Sequence, residues 1–197
     1  MSKWVRGSIA MGVLFFVVFA FDVTAQSSLL DDVEFVEAVN WMYSKQMTSY
    51  KEPEQFRGED LVSRQQAAKF FVGYATNVLY QVIDTSRYCS FDDLQDADPT
   101  LKNAILQSCL LRLFKGNQWM FGPHDPLTKA QALTVIIRML DEKQLDESGE
   151  LWRQAYYDRA RELELVKETD VAALDRPVTR YELSLLLYRA SLKQPHE

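Results

Sequence analysis

The chain has 197 residues, of which 47% are hydrophobic and 25% charged, and its formal net charge is −6. That length accommodates one domain with a sizeable core or an array of small repeats, and excludes two full enzyme domains; the apolar content excludes an intrinsically disordered chain. The acidic balance offers a nucleic-acid backbone no broad basic surface, so no nucleic-acid partner is expected.

At the N-terminus, Lys3 and Arg6 precede an apolar run from Ile9 to Phe21, and Val23-Thr24-Ala25 follows before Gln26. A charged start, a short apolar run and small residues at a cleavage position form the layout of a secretory signal peptide. The run falls short of the ~20 residues of a spanning helix. Residues 1–25 are therefore expected to be a cleaved leader and the chain to be exported. An uncleaved anchor is the alternative, and it would be the chain's only attachment to a membrane.

Beyond the leader, Phe35, Val36, Val39, Met42, Tyr43 and Met47 fall at helical spacing and predict a helix over 35–47. A loop then enters Ser63-Arg64, after which Ala67, Ala68, Phe70, Phe71, Tyr74, Ala75 and Val78 predict a second helix, apolar almost all round. Residues 81–90 read as a longer connection that carries Cys89. The other cysteine is Cys109, and export places the pair where disulfides persist, so a Cys89–Cys109 bridge is expected, two unrelated thiols being the alternative. With no histidine nearby they make no zinc site. Asp92, Asp93, Asp96 and Asp98 lack the spacing and central glycine of a calcium loop and read as helix caps and solvated acids, so no metal is expected.

Asp98-Pro99 supplies an N-cap and first-turn proline for a helix over 101–114, with Gly116 just past its end. Trp119 stands in the following loop, which leads into Thr128-Lys129 and a helix rich in Leu133, Val135, Ile136, Ile137, Met139 and Leu140. Residues 141–150 form an acidic linker, 151–166 a further helix, and Thr179-Arg180 opens the last one through Leu183, Leu185, Leu186, Leu187 and Tyr188.

The loop-to-helix junctions align without gaps. Ser63, Thr128 and Thr179 are each followed by a cation, Arg64, Lys129 or Arg180, and three residues on by Gln66, Gln131 or Glu182. This is capping-box spacing, in which the hydroxyl accepts an early helical N–H and the third residue reaches back to the cap's amide. Val62, Leu127 and Val178 before the caps can staple onto Ala67, Ala132 and Leu183. Three such junctions predict an all-α chain of three helix-loop-helix repeats, 31–80, 88–141 and 150–192, forming one domain in which the helices beginning near Arg64, Lys129 and Arg180 meet in a central three-helix bundle.

Ser63-Arg64-Gln65-Gln66, Thr128-Lys129-Ala130-Gln131 and Thr179-Arg180-Tyr181-Glu182 resemble the Thr-Arg-Ala-Glu signature of S-layer homology domains. Phe121-Gly122-Pro123 with Leu127 resembles the positions before that signature, Phe91-Asp92-Asp93 the opening of a repeat, and Gly116 the glycine after its first helix. The first repeat has Lys45-Gln46-Met47 where that glycine is expected, and the third lacks the phenylalanine and the glycine. The resemblance implies an envelope protein whose grooves hold a cell-wall polysaccharide, often one bearing pyruvate ketals, with Arg64, Lys129 and Arg180 facing the ligand. An early helical cation beside unpaired backbone N–H groups suits an anion. Of the two tryptophans weighed for sugar stacking, Trp119 is favoured and Trp41 is expected in the core.

The only histidines are His124, in a proline-flanked loop, and His196, in the tail, and no phosphate-binding loop, nucleophile elbow or metal-binding helix motif occurs. A carboxylate-pair glycosidase needs no local motif and has no positive support. The reading is therefore a non-enzymatic, cofactor-free protein of the cell envelope or surface that binds anionic wall polysaccharide. The alternative is a structural or adaptor subunit meeting other envelope proteins.

Overall fold

The computed structural model describes residues 23–141, 145, 152–167 and 174–193, with side chains from residue 33 onward. The leader as far as residue 22, most of the 141–150 linker, Ala172, Ala173 and His196 lie outside the described residues. The helices are α1 (Val23–Ser44), α2 (Pro53–Phe56), α3 (Arg64–Asn77), α4 (Lys102–Leu110), α5 (Lys129–Asp141), α6 (Trp152–Glu162) and α7 (Arg180–Ser191), with a 3-10 turn at Leu94–Asp96. Extended pairing among the described residues is limited to isolated bridges, so the fold is all-α.

Helices α3, α5 and α7 begin at the three junction cations. At α5 the Gln131 amide donates to Thr128 Oγ1 (3.3 Å) and the Thr128 amide to Gln131 Oε1 (3.2 Å). Glu182 and Thr179 exchange the same pair of bonds at 3.2 and 3.1 Å, and at α3 the Ser63 amide donates to Gln66 Oε1 at 3.0 Å. These bonds satisfy amides that a helix start otherwise leaves open.

The three junctions interlock in a closed circle. Val62 N–H donates to Val178 O, Val178 N–H to Leu127 O, and Leu127 N–H to Val62 O, at 3.0, 2.9 and 2.8 Å. One step further on, Arg64 N–H donates to Asp125 O, Lys129 N–H to Arg176 O and Arg180 N–H to Asp60 O. Each helix start is thus capped by the loop that opens another helix. Val62, Leu127 and Val178 are fully buried at this ring.

The helix pairs follow the same circular order. α3 packs on α4, α5 on α6, and α7 returns to α1, while α5 also touches α3 and α7. Glu34 on α1 receives Arg189 of α7 through Nε (2.5 Å) and Nη2 (2.7 Å), which locks the closing pair. The Cys89–Cys109 disulfide ties the long connection to α4, with Cα atoms 6.1 Å apart. On the chain-entropy model, closing a loop of this size stabilises the fold by about 3 kcal/mol.

Helix α4 is shorter than the predicted 101–114. The Asp98 carboxylate takes the Thr100 amide (2.8 Å) and hydroxyl (2.7 Å), a local turn that delays the helix to Lys102. At its other end Arg112 takes a left-handed φ of 60°. Helices α1 and α6 stop in the same way at Gln46 and Glu164, with φ of 58° and 56°. In each case an amide reaches back five residues, Met47 to Met42 O, Leu113 to Ser108 O and Leu165 to Ala160 O, and the donor residue is buried. These are Schellman endings made without glycine. Gly116 is therefore not the counterpart of Gln46. It lies in a later turn, where its φ is +71° and an added Cβ would come within 2.7 Å of Met120 O and of the Phe91 ring.

Candidate functional site

The helix starts place the three cations in three separate grooves. Arg64 lines a cavity of about 360 Å³ with Phe114, Lys115, Gln131, Arg138 and Trp152. Lys129 lines one of about 210 Å³ with Lys167, Glu182 and Arg189. Arg180 lines another of about 210 Å³ with Tyr50, Gln66 and Lys69. The rule relating them is circular: the first residue of one helix shares a groove with the third residue of another, as Arg64 with Gln131, Lys129 with Glu182 and Arg180 with Gln66.

Two of the cations are held by aromatic faces. The Arg64 guanidinium lies 4.9 Å from the Phe114 ring centre and 5.1 Å from that of Phe121, and its Nε donates to Phe121 O at 2.8 Å. The Arg180 guanidinium lies 4.6 Å from the Phe56 ring centre and 5.7 Å from that of Tyr50. Burial lowers the pKa of both guanidiniums, but arginine remains charged. Lys129 is 4% exposed, and burial pulls its ammonium down to about 8 against the opposing pull of Glu182. Burial pushes the Glu182 carboxyl up, yet Arg176, which grips it with two bonds, and the Thr179 amide hold it below the ordinary range.

Trp119 is 73% exposed and does not line the Arg64 groove; it sits in the turn where Asn117 and Met120 exchange backbone bonds. Trp41 packs between Tyr74 and Tyr188. Asp93 is buried and accepts the amides of Phe121 and Gly122 at 2.8 and 2.7 Å, so this acid fixes the loop under Arg64. His124 bridges Asp96 O and Gln65 in the same way, as a structural side chain. Among the described residues no group of three or more His, Cys, Asp or Glu could hold a metal ion, and no helix is long and apolar enough to cross a membrane.

Sequence reasoning did not find Tyr50, Lys69, Arg138 or Trp152 as groove residues. The gap-free junction alignment pairs equivalent positions, but it carries no sign that the first residue of one helix faces the third of another. No protein-family model matches the chain, and no curated protein matches it.

Proposed function

We propose that this is an exported, non-enzymatic envelope protein built from three S-layer-homology-like repeats whose junction grooves bind an anionic cell-wall polysaccharide. The observation that supports this most is the repetition of one arrangement: a half-buried or buried cation at a helix start, set in its own groove. A carboxylate or ketal acid entering such a groove meets a charge already desolvated by protein, so a charge-assisted hydrogen bond there is stronger than one made in water. The disulfide is compatible with an oxidising compartment. The adaptor alternative draws on the exposed Tyr80, Val82 and Tyr88 along the connection before Cys89, a surface that could meet another envelope protein.

Binding to purified wall sacculi, with and without their attached polymer, tests the proposal. Arg64→Ala and Arg180→Ala are expected to weaken binding more than Lys129→Ala, since only arginine grips a carboxylate with two parallel bonds, at about 1.5–3 kcal/mol for each lost charged bond. Wild-type affinity in the double arginine variant, with helicity unchanged, would refute the glycan reading and favour the adaptor.

A further inference from the structure

The face of α1 turned away from the domain carries an apolar stripe with a regular spacing. Val33, Val36 and Tyr43 are 57%, 43% and 45% exposed, and Asn40 is exposed between the last two. These four positions advance in alternating steps of three and four residues, the spacing of a coiled-coil seam. In the sequence the same register runs back through Leu29 to Gln26, within the 22 residues of α1. Ala38 and Met42, on the opposite side of the helix, are buried against the domain.

A second copy of the same helix suits this stripe. Packed in parallel and in register, each layer meets its own kind, Val33 on Val33, Val36 on Val36, Asn40 on Asn40 and Tyr43 on Tyr43. One asparagine at the first core position of a heptad selects two strands in a single register, because each side-chain amide bonds its counterpart. An antiparallel seam sets Asn40 against Leu29 or Val36 and leaves that amide unpaired. Since the stripe lies opposite the buried face, the two domains occupy the outer sides of the pair and do not collide. The face is about 33 Å long and ~10 Å wide on each copy, short of the ~1,200 Å² that a stable interface of standard size buries. Glu37 flanks the stripe and by register falls against the other copy's Asp32, so like charges oppose the pairing. Such a pair is weak and forms as concentration rises.

We propose that α1 is a homodimer interface, through which two copies of the chain pair as a parallel two-helix seam of Val33, Val36, Asn40 and Tyr43. The inference stands apart from the wall-glycan reading and uses none of the junction grooves.

Sedimentation equilibrium of the full exported chain, from micromolar to submillimolar concentration, tests it. The mass should rise from one chain toward two, and added salt should tighten the pair by screening Glu37 from Asp32. Val36→Asp puts a charge into the seam and should weaken pairing at least about tenfold, while the melt and helicity of the dilute chain stay unchanged because Val36 is exposed in a single copy. Asn40→Val should tighten the pair and admit larger assemblies. Both native cysteines are bonded to each other, so Asn40→Cys supplies the only free thiol and should cross-link two copies under mild oxidation. A single-chain mass at every concentration overturns the inference, as does a wild-type trimer. So does a pair that ignores Val36→Asp or loosens in salt. An Asn40→Cys variant that pairs but never cross-links overturns the parallel register and the inference with it.

Discussion

Two of the three junction cations are arginines, and both lie against phenylalanine rings. Phe121 covers Arg64 and Phe56 covers Arg180, both from the position that opens an aligned junction; the residue aligned for Lys129 is Ala172. A planar guanidinium gains from a ring face, which suits arginine at the two junctions served by a phenylalanine. Burying Lys129 is costly to the fold. Its pKa falls from 10.5 to about 8 on folding, so between those values the unfolded chain binds more protons and stability rises with pH; below about 8 the full cost is present. Lys129→Met should therefore stabilise the protein at pH 7 by up to about 3 kcal/mol, a tenfold change in proton affinity being worth ~1.4 kcal/mol, with the gain vanishing above pH 10.5. Urea unfolding at pH 7 and at pH 10.5 measures this, and equal midpoints at pH 7 would show that Lys129 is stabilised by a favourable interaction that offsets its burial. The cation positions were legible in the sequence because a capping box is local. Tyr50 and Lys69 were not, since the first stands in a patternless loop and the second reads as one more solvated helical charge.

Helix starts and helix ends were unequally legible for the same reason. A start is written in side chains, as Thr179 and Glu182 show, whereas the ends of α1, α4 and α6 are written in backbone conformation at Gln46, Arg112 and Glu164, residue types that announce nothing. A glycine after the helix therefore pointed to Gly116, which serves a different turn under Phe91. Testing the two positions in opposite directions separates them. Arg112 is exposed and holds a φ of 60°, where a side chain is strained, so Arg112→Gly should raise stability by about 0.5–1 kcal/mol despite glycine's greater unfolded freedom. Gly116→Ala places a Cβ against Met120 O and Phe91 at a positive φ, and should lower stability by more than about 1 kcal/mol. Thermal melts of the two variants check this; destabilisation by Arg112→Gly would mean that the arginine side chain does more at that helix end than its backbone does.

At the scale of the whole molecule, the sequence predicted one domain around a central three-helix bundle, and the hydrogen bonds between the junction loops describe a circle rather than a linear array. A linear array adds units whose stability is nearly the sum of each unit and its neighbours, so losing an end unit leaves the others folded. Here α7 packs on α1, Glu34 pairs with Arg189, and the ring through Val62, Leu127 and Val178 has no first or last member. That closure was hidden in the sequence because the backbone bonds that complete it, Val62 N–H to Val178 O and Arg180 N–H to Asp60 O, join residues more than a hundred positions apart and leave no side-chain signature. It has a strong consequence for truncation. Removing residues 150–197 takes away the acceptor for Val62 N–H, the donor to Asp60 O, the partner of α5 in α6, and the cover over α1. Each remaining helix pair would then expose apolar surface that is now fully buried, including Val39, Met42 and Leu133. The truncated chain should lose cooperative unfolding and most of its helicity, with the Cys89–Cys109 bridge unable to offset the loss at about 3 kcal/mol. The intact chain should melt in a single transition that coincides by far-UV circular dichroism and by tryptophan fluorescence. A truncated chain that keeps a sharp melt and two thirds of the helical signal would show that the repeats fold as a row, and that the ring closes only after each unit is already stable.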